Sequence, residues 1–341
     1  MSEKGLDVVG IGNTIVDTIV KADDKFLSAL GVNKGSMTLL NKGKSDKLFS
    51  FLSELEVGEH VEAVKKVSGG GAANLACGIQ SLGGKAGFIG KVAADDVGVS
   101  FTESIRSHGV IYQGAVYSGE QGTGQALIVV TDDGKRTMCT YLGASDQLLS
   151  GDIDEDLIAD AKFIYLTGFL WDHENGRRAG LKAIELAKKH DTKVAFTLAD
   201  ASCVQRHKDE FKRLIKNDVH MVFANRAEII ALFDSSDHDV AVERMKLKCE
   251  DNKHLVGVLT CDVDGAIIIT HKQTYKSEPD HVAQVLDTTG AGSLFAAGFL
   301  YGINHGKNIE ASAKLANLAA GRCIQQLGAR MPNISELVSQ V

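Results

Sequence analysis

Asp287-Thr288-Thr289-Gly290-Ala291-Gly292-Ser293 is the stretch whose reading decides the fold. The residues before it, Gln284–Leu286, can end a strand, and Leu294–Gly306 after it has helical character. Only small residues occupy its last four positions. Glycines at such a junction let backbone approach a ligand, and the free N–H groups of a starting helix attract an anion. A helix start with glycine kept for packing is the other reading of the same pattern. No Lys-Ser/Thr follows the last glycine, so this is not a P-loop of the Walker type.

Working outward, short β-branched runs alternate with longer segments of helical spacing. The runs Asp7–Ile11, Ala86–Ile89, Phe163–Thr167, Lys193–Leu198, His220–Ala224 and Leu255–Thr260 read as buried strands. Between them Ala72–Leu82, Gly176–His190, Lys208–Lys216, Ala227–Phe233 and Val240–Cys249 read as helices. This rhythm predicts βαβ units, hence an α/β fold with a mainly parallel sheet covered on both faces.

Two regions break the rhythm. One carries an extended stretch around Ser36–Leu40 and a helical one around Lys44–Leu55. In the other, the alternating runs Gly124–Val130 and Arg136–Tyr141 flank Asp132-Asp133-Gly134, a hairpin signal. We read these as a small β lid made by insertions at about residues 15–67 and 109–142, within one domain spanning residues 1–341.

Composition narrows the function classes. At 341 residues the chain can bury one large core. A net charge of -7 gives no basic footprint, so nucleic acid is not an expected partner. The six cysteines are scattered without a CxxC pair, which reads as reduced, buried thiols. The N-terminus shows no signal peptide, and the apolar runs are too short for a membrane span. A cytoplasmic protein with no membrane partner is expected. No histidine sits in a metal-ligand spacing such as HExxH.

Other clusters carry possible chemistry. Ser68-Gly69-Gly70-Gly71-Ala72-Ala73-Asn74 is a second small-residue turn opening a helix, where Asn74 can bond the turn or a ligand. The first strand ends Gly10-Ile11-Gly12-Asn13, with Asp17 four residues on. A carboxylate just past a strand end can accept hydrogen bonds from two neighbouring hydroxyls, although a helix cap is the plainer role for Asp17. Asn225 and Glu228, three apart, share one helix face and suit a hard cation that keeps its waters. They equally form a capping box, and the two roles can coexist.

Together these segments resemble the PfkB, or ribokinase-like, carbohydrate kinases. Asp287-Thr-x-Gly-Ala-Gly followed by x-Leu-Phe-Ala-Ala-Gly-Phe-Leu is similar to that family's C-terminal signature, and Gly69-Gly-x-x-x-Asn-x-Ala to its N-terminal one. The resemblance spans Asp7 to about Pro332 and implies a three-layer αβα fold with a lid. It implies that Asn13, Asp17, Gly69, Gly70, Gly71 and Asn74 bind a sugar or ribose. Asp287, Thr288, Gly290, Ala291 and Gly292 would hold phosphate, with Arg136 reaching the transferred group from the lid. Asn225 and Glu228 would organise Mg²⁺ through water, and Thr260 and Gly265 would border ATP.

The opening Gly-x-Gly-Asn-x-x-x-Asp looks most like the adenosine kinases, and Phe169 is then the residue to stack a nucleobase, unless it is core. The resemblance therefore implies ATP-dependent phosphorylation of the adenosine 5'-hydroxyl, a purine-salvage activity. A ribose- or fructose-type sugar kinase is the alternative. It further implies a monomer or homodimer, and a monovalent cation as a possible cofactor.

One position departs from the pattern: the family places an aspartate, its general base, where this chain has Ser293. A serine hydroxyl is a poor proton acceptor, so weak or abolished turnover is expected. A catalytically silent ligand-binding protein is a further reading. Asp287 as a substitute base is a third, disfavoured because it stands at the start of the turn.

Overall fold

The computed structural model describes residues 4–53, 61–133 and 135–341. Leu55 and Gly134, named above, lie outside the described residues.

Among the described residues the largest sheet has eight strands. From edge to edge they run Thr274–Ser277, Ala266–Ile269, Val256–Thr260, Met221–Asn225, Lys193–Thr197, Ala161–Thr167, Leu6–Ile11 and Ala86–Ile89. Pairing is parallel from Val256–Thr260 to Ala86–Ile89 and antiparallel in the two strands beyond. The near-continuous apolar composition of the parallel strands follows from burial on both faces. Along Ala161–Thr167, Phe163 and Tyr165 enter one core while Ile164 and Leu166 enter the other.

Helices Gly71–Ser81, Ala291–Asn304 and Ile309–Cys323 cover the first face. Glu174–Lys189, Ala201–Asn217, Arg226–Phe233 and His238–Asp251 cover the second. The second core is fastened by an aromatic triangle. Trp171, Phe196 and Phe211 meet edge to face with centroids 5.3, 5.8 and 5.0 Å apart, each pair adding about 0.5–1.5 kcal/mol beyond its area.

A five-stranded sheet forms the lid, in the order Met37–Leu39, Arg136–Tyr141, Gly124–Val130, Ile15–Ala22 and Val61–Ser68. Its outer face has its own small core, in which Leu127 and Val129 pack on Phe26 and Leu27. The whole is the ribokinase-like three-layer fold with a β lid.

Two expectations are corrected. Gln284–Leu286 is irregular rather than a strand end, because the Leu286 and Asp287 amides both donate to the Ile324 carbonyl, at 2.8 and 3.3 Å. The helix after the glycine turn is Ala291–Asn304, so Ser293 lies in its first turn. Helices Asp96–Ser107 and Ile309–Cys323 had not been anticipated. All six cysteines are free and buried, and no helix among the described residues is long and apolar enough to cross a membrane.

Phe211→Ala would open a cavity beneath this triangle. The expected loss is about 3–5 kcal/mol, read as a lower denaturant midpoint at unchanged m-value.

Candidate active site

A cavity of about 430 Å³ lies between the lid and the carboxyl ends of the parallel strands. That edge is where open α/β sheets bind ligands, because helix N-termini and strand-end side chains converge there. The sheet side contributes Tyr165, Thr167, Thr197, Phe223, Asn225 and Thr260. The lid contributes Asp17, Met37, Leu39, Ile128, Arg136 and Met138.

The glycine turn forms one end. Gly290 has φ +82°, in the left-handed region, and a Cβ there would fall 2.0 Å from the Ala329 Cβ. Only glycine fits on both counts. Asp287 shapes the turn: its Oδ1 accepts from the Thr289 amide at 2.8 Å and its Oδ2 from the Gly328 amide at 3.0 Å. Both oxygens are thus engaged, and Asp287 is buried outside the cavity lining. The Ala291 amide turns back onto the Thr288 carbonyl at 3.3 Å. The Gly292 and Ser293 amides, in the first helical turn, have no acceptor within the helix. A Cβ on Gly292 would meet nothing within 4 Å, so the space above it is open.

The second glycine turn meets the first. A Cβ at Gly71 would lie 3.6 Å from Ser293 Oγ. Gly70 has φ +89°, and its missing Cβ makes room for the Asn13 carbonyl, which would otherwise be 2.4 Å away. Gly69 lies against Asp17, whose Oδ2 would be 2.1 Å from a Cβ at that position. Asp17 is therefore buried, and burial pushes its carboxyl up to about 7, with Arg330 pulling it down and Asp287 adding to the rise. Asn74 Oδ1 is buried without a hydrogen-bond partner beside the cavity, an acceptor whose desolvation only a ligand or water can offset.

At the other end, Asn225 ends its strand and caps the next helix in a capping box. Its Oδ1 accepts from the Glu228 amide at 2.9 Å, and the Glu228 carboxylate accepts from Asn225 N and Nδ2 at 3.1 and 2.7 Å. Burial pushes Glu228 up to about 7. Its oxygens are already spoken for by amides, so their remaining lone pairs suit metal-bound water better than direct coordination. Arg136 donates to Thr289 Oγ1 at 2.9 Å, which brings the lid onto the glycine turn.

Of the residues singled out in the sequence, Asn13, Asp17, Gly70, Gly71, Asn74, Arg136, Phe169, Asn225, Glu228, Thr260, Thr288, Gly290, Gly292 and Ser293 line this one cavity. Gly69, Ala291, Asp287 and Gly265 do not. Gly265 closes the turn before Ala266–Ile269 at φ +77°, and Asp262 adopts φ +52° nearby, a conformation aspartate tolerates better than most residues. Sequence reasoning missed Tyr165, Thr197, Phe223, and the apolar lid residues Met37, Leu39, Ile128 and Met138. Asp172 also lines the cavity and converges with Cys203 and His207. Arg206 takes both Asp172 oxygens at 2.9 and 2.8 Å, which already neutralises that carboxylate.

Known proteins agree with this architecture. The pattern of the pfkB family carbohydrate kinases matches residues 42–336. The chain belongs to that family, a class of kinases whose membership implies ATP as donor, usually with Mg²⁺. It is similar to a probable sugar kinase from Rhizobium etli, 38% identical with a TM-score of 0.90 over 99% of this chain and 98% of that one. An adenosine kinase from Sinorhizobium meliloti is also 38% identical, with a TM-score of 0.88 and 98% of both chains covered. The 5-dehydro-2-deoxygluconokinase of Listeria monocytogenes is 28% identical over 290 residues, 82% of this chain and 88% of that protein.

The raised carboxyl of Asp17 has a signed consequence for stability. The folded state keeps a proton that the unfolded chain has lost between about pH 4 and pH 7, so stability falls as pH rises through that window. Asp17→Asn removes the loss. It should stabilise the ligand-free protein at pH 8 by about 4 kcal/mol, read as a higher melting temperature, and give no gain at pH 4. Thermal scans at both pH values decide it.

Proposed function

We propose that this kinase phosphorylates the 5'-hydroxyl of a nucleoside, adenosine being the favoured substrate, and that Ser293 keeps its turnover low. One observation carries the reading. An apolar and aromatic wall of Met37, Leu39, Ile128, Met138 and Phe169 shares the cavity with a carboxylate suited to a ribose diol. A planar base offers such a wall both area and a π-face. The carboxylate of a sugar acid would find one basic side chain lining the cavity, Arg136, which the anion turn already engages.

In this reading Asp17 accepts hydrogen bonds from the ribose hydroxyls, Asn13 and Asn74 complete the set, and Phe169 stacks the base. The Gly292 and Ser293 amides and Arg136 meet the transferring phosphoryl oxygens. Asn225 and Glu228 hold the waters of Mg²⁺, which when bound supplies charge neutralisation on the ATP phosphates. Positioning and electrostatic stabilisation are most of what phosphoryl transfer needs, and this chain retains residues for both.

The missing piece is a proton acceptor for the 5'-hydroxyl. Ser293 is near Gly71, where the two turns meet, and has no basicity at neutral pH. Loss of a general base costs about 10²–10⁴ in rate, or roughly 3–5 kcal/mol of barrier. Asp287 is a poor substitute, since both its oxygens hold backbone amides. A second reading, a kinase for a free sugar or sugar acid, draws support from what the Listeria and Rhizobium proteins are called.

Steady-state assay of Ser293→Asp should show turnover raised by about 10² or more over the parent chain. Equal rates would sink the base assignment. Calorimetry should find saturable adenosine binding, about tenfold weaker in Phe169→Ala, with ribose affinity unchanged by that substitution. Binding of ribose or a sugar acid without binding of adenosine would overturn the nucleoside assignment.

A further inference from the structure

The segment Gly328-Ala329-Arg330, to which neither signature motif extends, touches both glycine turns. The Gly328 amide donates to Asp287 Oδ2, and Ala329 fills the space left by the absent Cβ of Gly290. Arg330 reaches the other turn. Its Nη2 donates to the Gly69 carbonyl at 3.4 Å, and its Nη1 to Ser104 Oγ at 2.6 Å. The guanidinium lies 4.9 Å from the Phe101 ring centre. Gln326 Nε2 donates to the Gly328 and Arg330 carbonyls at 3.0 and 3.2 Å, which fixes the shape of this strap.

Gly69 lies against Arg330 through its carbonyl and against Asp17 through its Cα. The arrangement is costly unless the charge is used. Arg330 Nε is buried without a partner, and the contacts of the guanidinium among the described residues are with Ser104, the Gly69 carbonyl and the Phe101 ring, none of them a carboxylate. Removing a cation from water without a close counter-ion is expensive, and a neutral residue could brace the strap. Asp17 is also buried and has no ion-pair partner among the described residues. Arg330 is thus the main charge offsetting Asp17 across Gly69, while Arg330 itself is offset first by Cys77 and then by Asp17. The strands flanking Asp17 place Val67 and Ala126 opposite it, both uncharged. Among the described residues Asp287 opposes the charge on Asp17, Cys77 has its thiol pushed up to about 11 by burial and stays neutral, and Lys65, Lys66 and Asp96 share a surface groove with Arg330.

We propose that Arg330 is a positioning residue for substrate recognition, holding the Gly69 turn against Asp17 and keeping that carboxylate charged for the substrate's diol. The proposal rests on the reading of Asp17 as the diol acceptor. It extends the substrate site to a side chain outside the cavity lining. A purely structural role for Arg330 would cost adenosine affinity equally at every pH.

The test follows the Asp17 carboxyl by carbon NMR in the ligand-free protein, alongside adenosine affinity across pH. In Arg330→Met the titration midpoint should rise by about one pH unit. Adenosine affinity should then fall about fivefold at pH 7 and recover by pH 9, since that shift lowers the charged fraction from about one half to one eleventh. Arg330→Lys, which keeps the charge without the planar fork, should return the midpoint towards that of the parent. An unmoved midpoint, or an affinity loss equal at every pH, overturns the proposal. A moved midpoint in a protein that never binds adenosine supports the coupling and overturns the nucleoside reading instead.

Discussion

The packing of helix Gly71–Ser81 against helix Ala291–Asn304 is the contact on which the rest of the site depends. At Gly78 a Cβ would fall 2.8 Å from Leu294 and 2.9 Å from Ala297, so the two axes approach as closely as backbone allows. Because both helices begin at the same edge of the sheet, this approach brings their N-termini together. The glycine turns that precede them then face each other across Gly71 and Ser293. The same device recurs one layer out, where Gly298 and Gly302 let helix Ile309–Cys323 lie on Ala291–Asn304. That helix delivers the chain to Gly328–Arg330. Small residues in the helices, more than in the loops, set where the ligand-facing backbone goes.

Charge is distributed on that scaffold at a cost to stability. Asp17 and Glu228 are buried carboxyls at opposite ends of the cavity, both pushed up to about 7 by burial. Asn74 leaves an acceptor unmatched between them. A chain selected for stability alone would replace all three with apolar groups. Their retention makes sense if ligands supply the missing hydrogen bonds and counter-charges, so that binding restores what folding gave up.

The fold was legible because its parallel strands are apolar on both faces and short, so Ala86–Ile89 and Lys193–Thr197 stand out between amphipathic helices. The strand end at Gln284–Leu286 was misread because local β character says nothing of the Ile324 carbonyl that captures its amides. Within the site, glycines and carboxylates were legible because few other residues tolerate φ +82° or face a diol. The apolar lid wall was not. The alternation of Gly124–Val130 predicts two faces but not which one meets the cavity, and only the structure shows that Ala126 and Ile128 face the cavity while Leu127 and Val129 face the lid's own core. Arg330 was invisible for a related reason: its role depends on Gly69, 261 residues away in sequence.

Ser293 sharpens the distinction between binding and chemistry in this architecture. In the proposed reading an anion would meet Arg136 and backbone amides fixed by Gly290, Asp287 and the Gly328 strap, none of which needs the side chain at position 293. The groups proposed to hold a diol are set by Gly69, Gly70 and Asp17, likewise independent of it. If position 293 is the base position, as proposed, a serine there would leave the ground-state contacts intact while withdrawing a group that matters only as a proton moves. Such a change would lower the rate without lowering affinity, since interactions specific to the transition state raise turnover whereas uniform binding does not. The sheet, the two helices and the strap would be indifferent to it. That indifference is why a chain can carry Ser293 in an otherwise well-ordered kinase cavity.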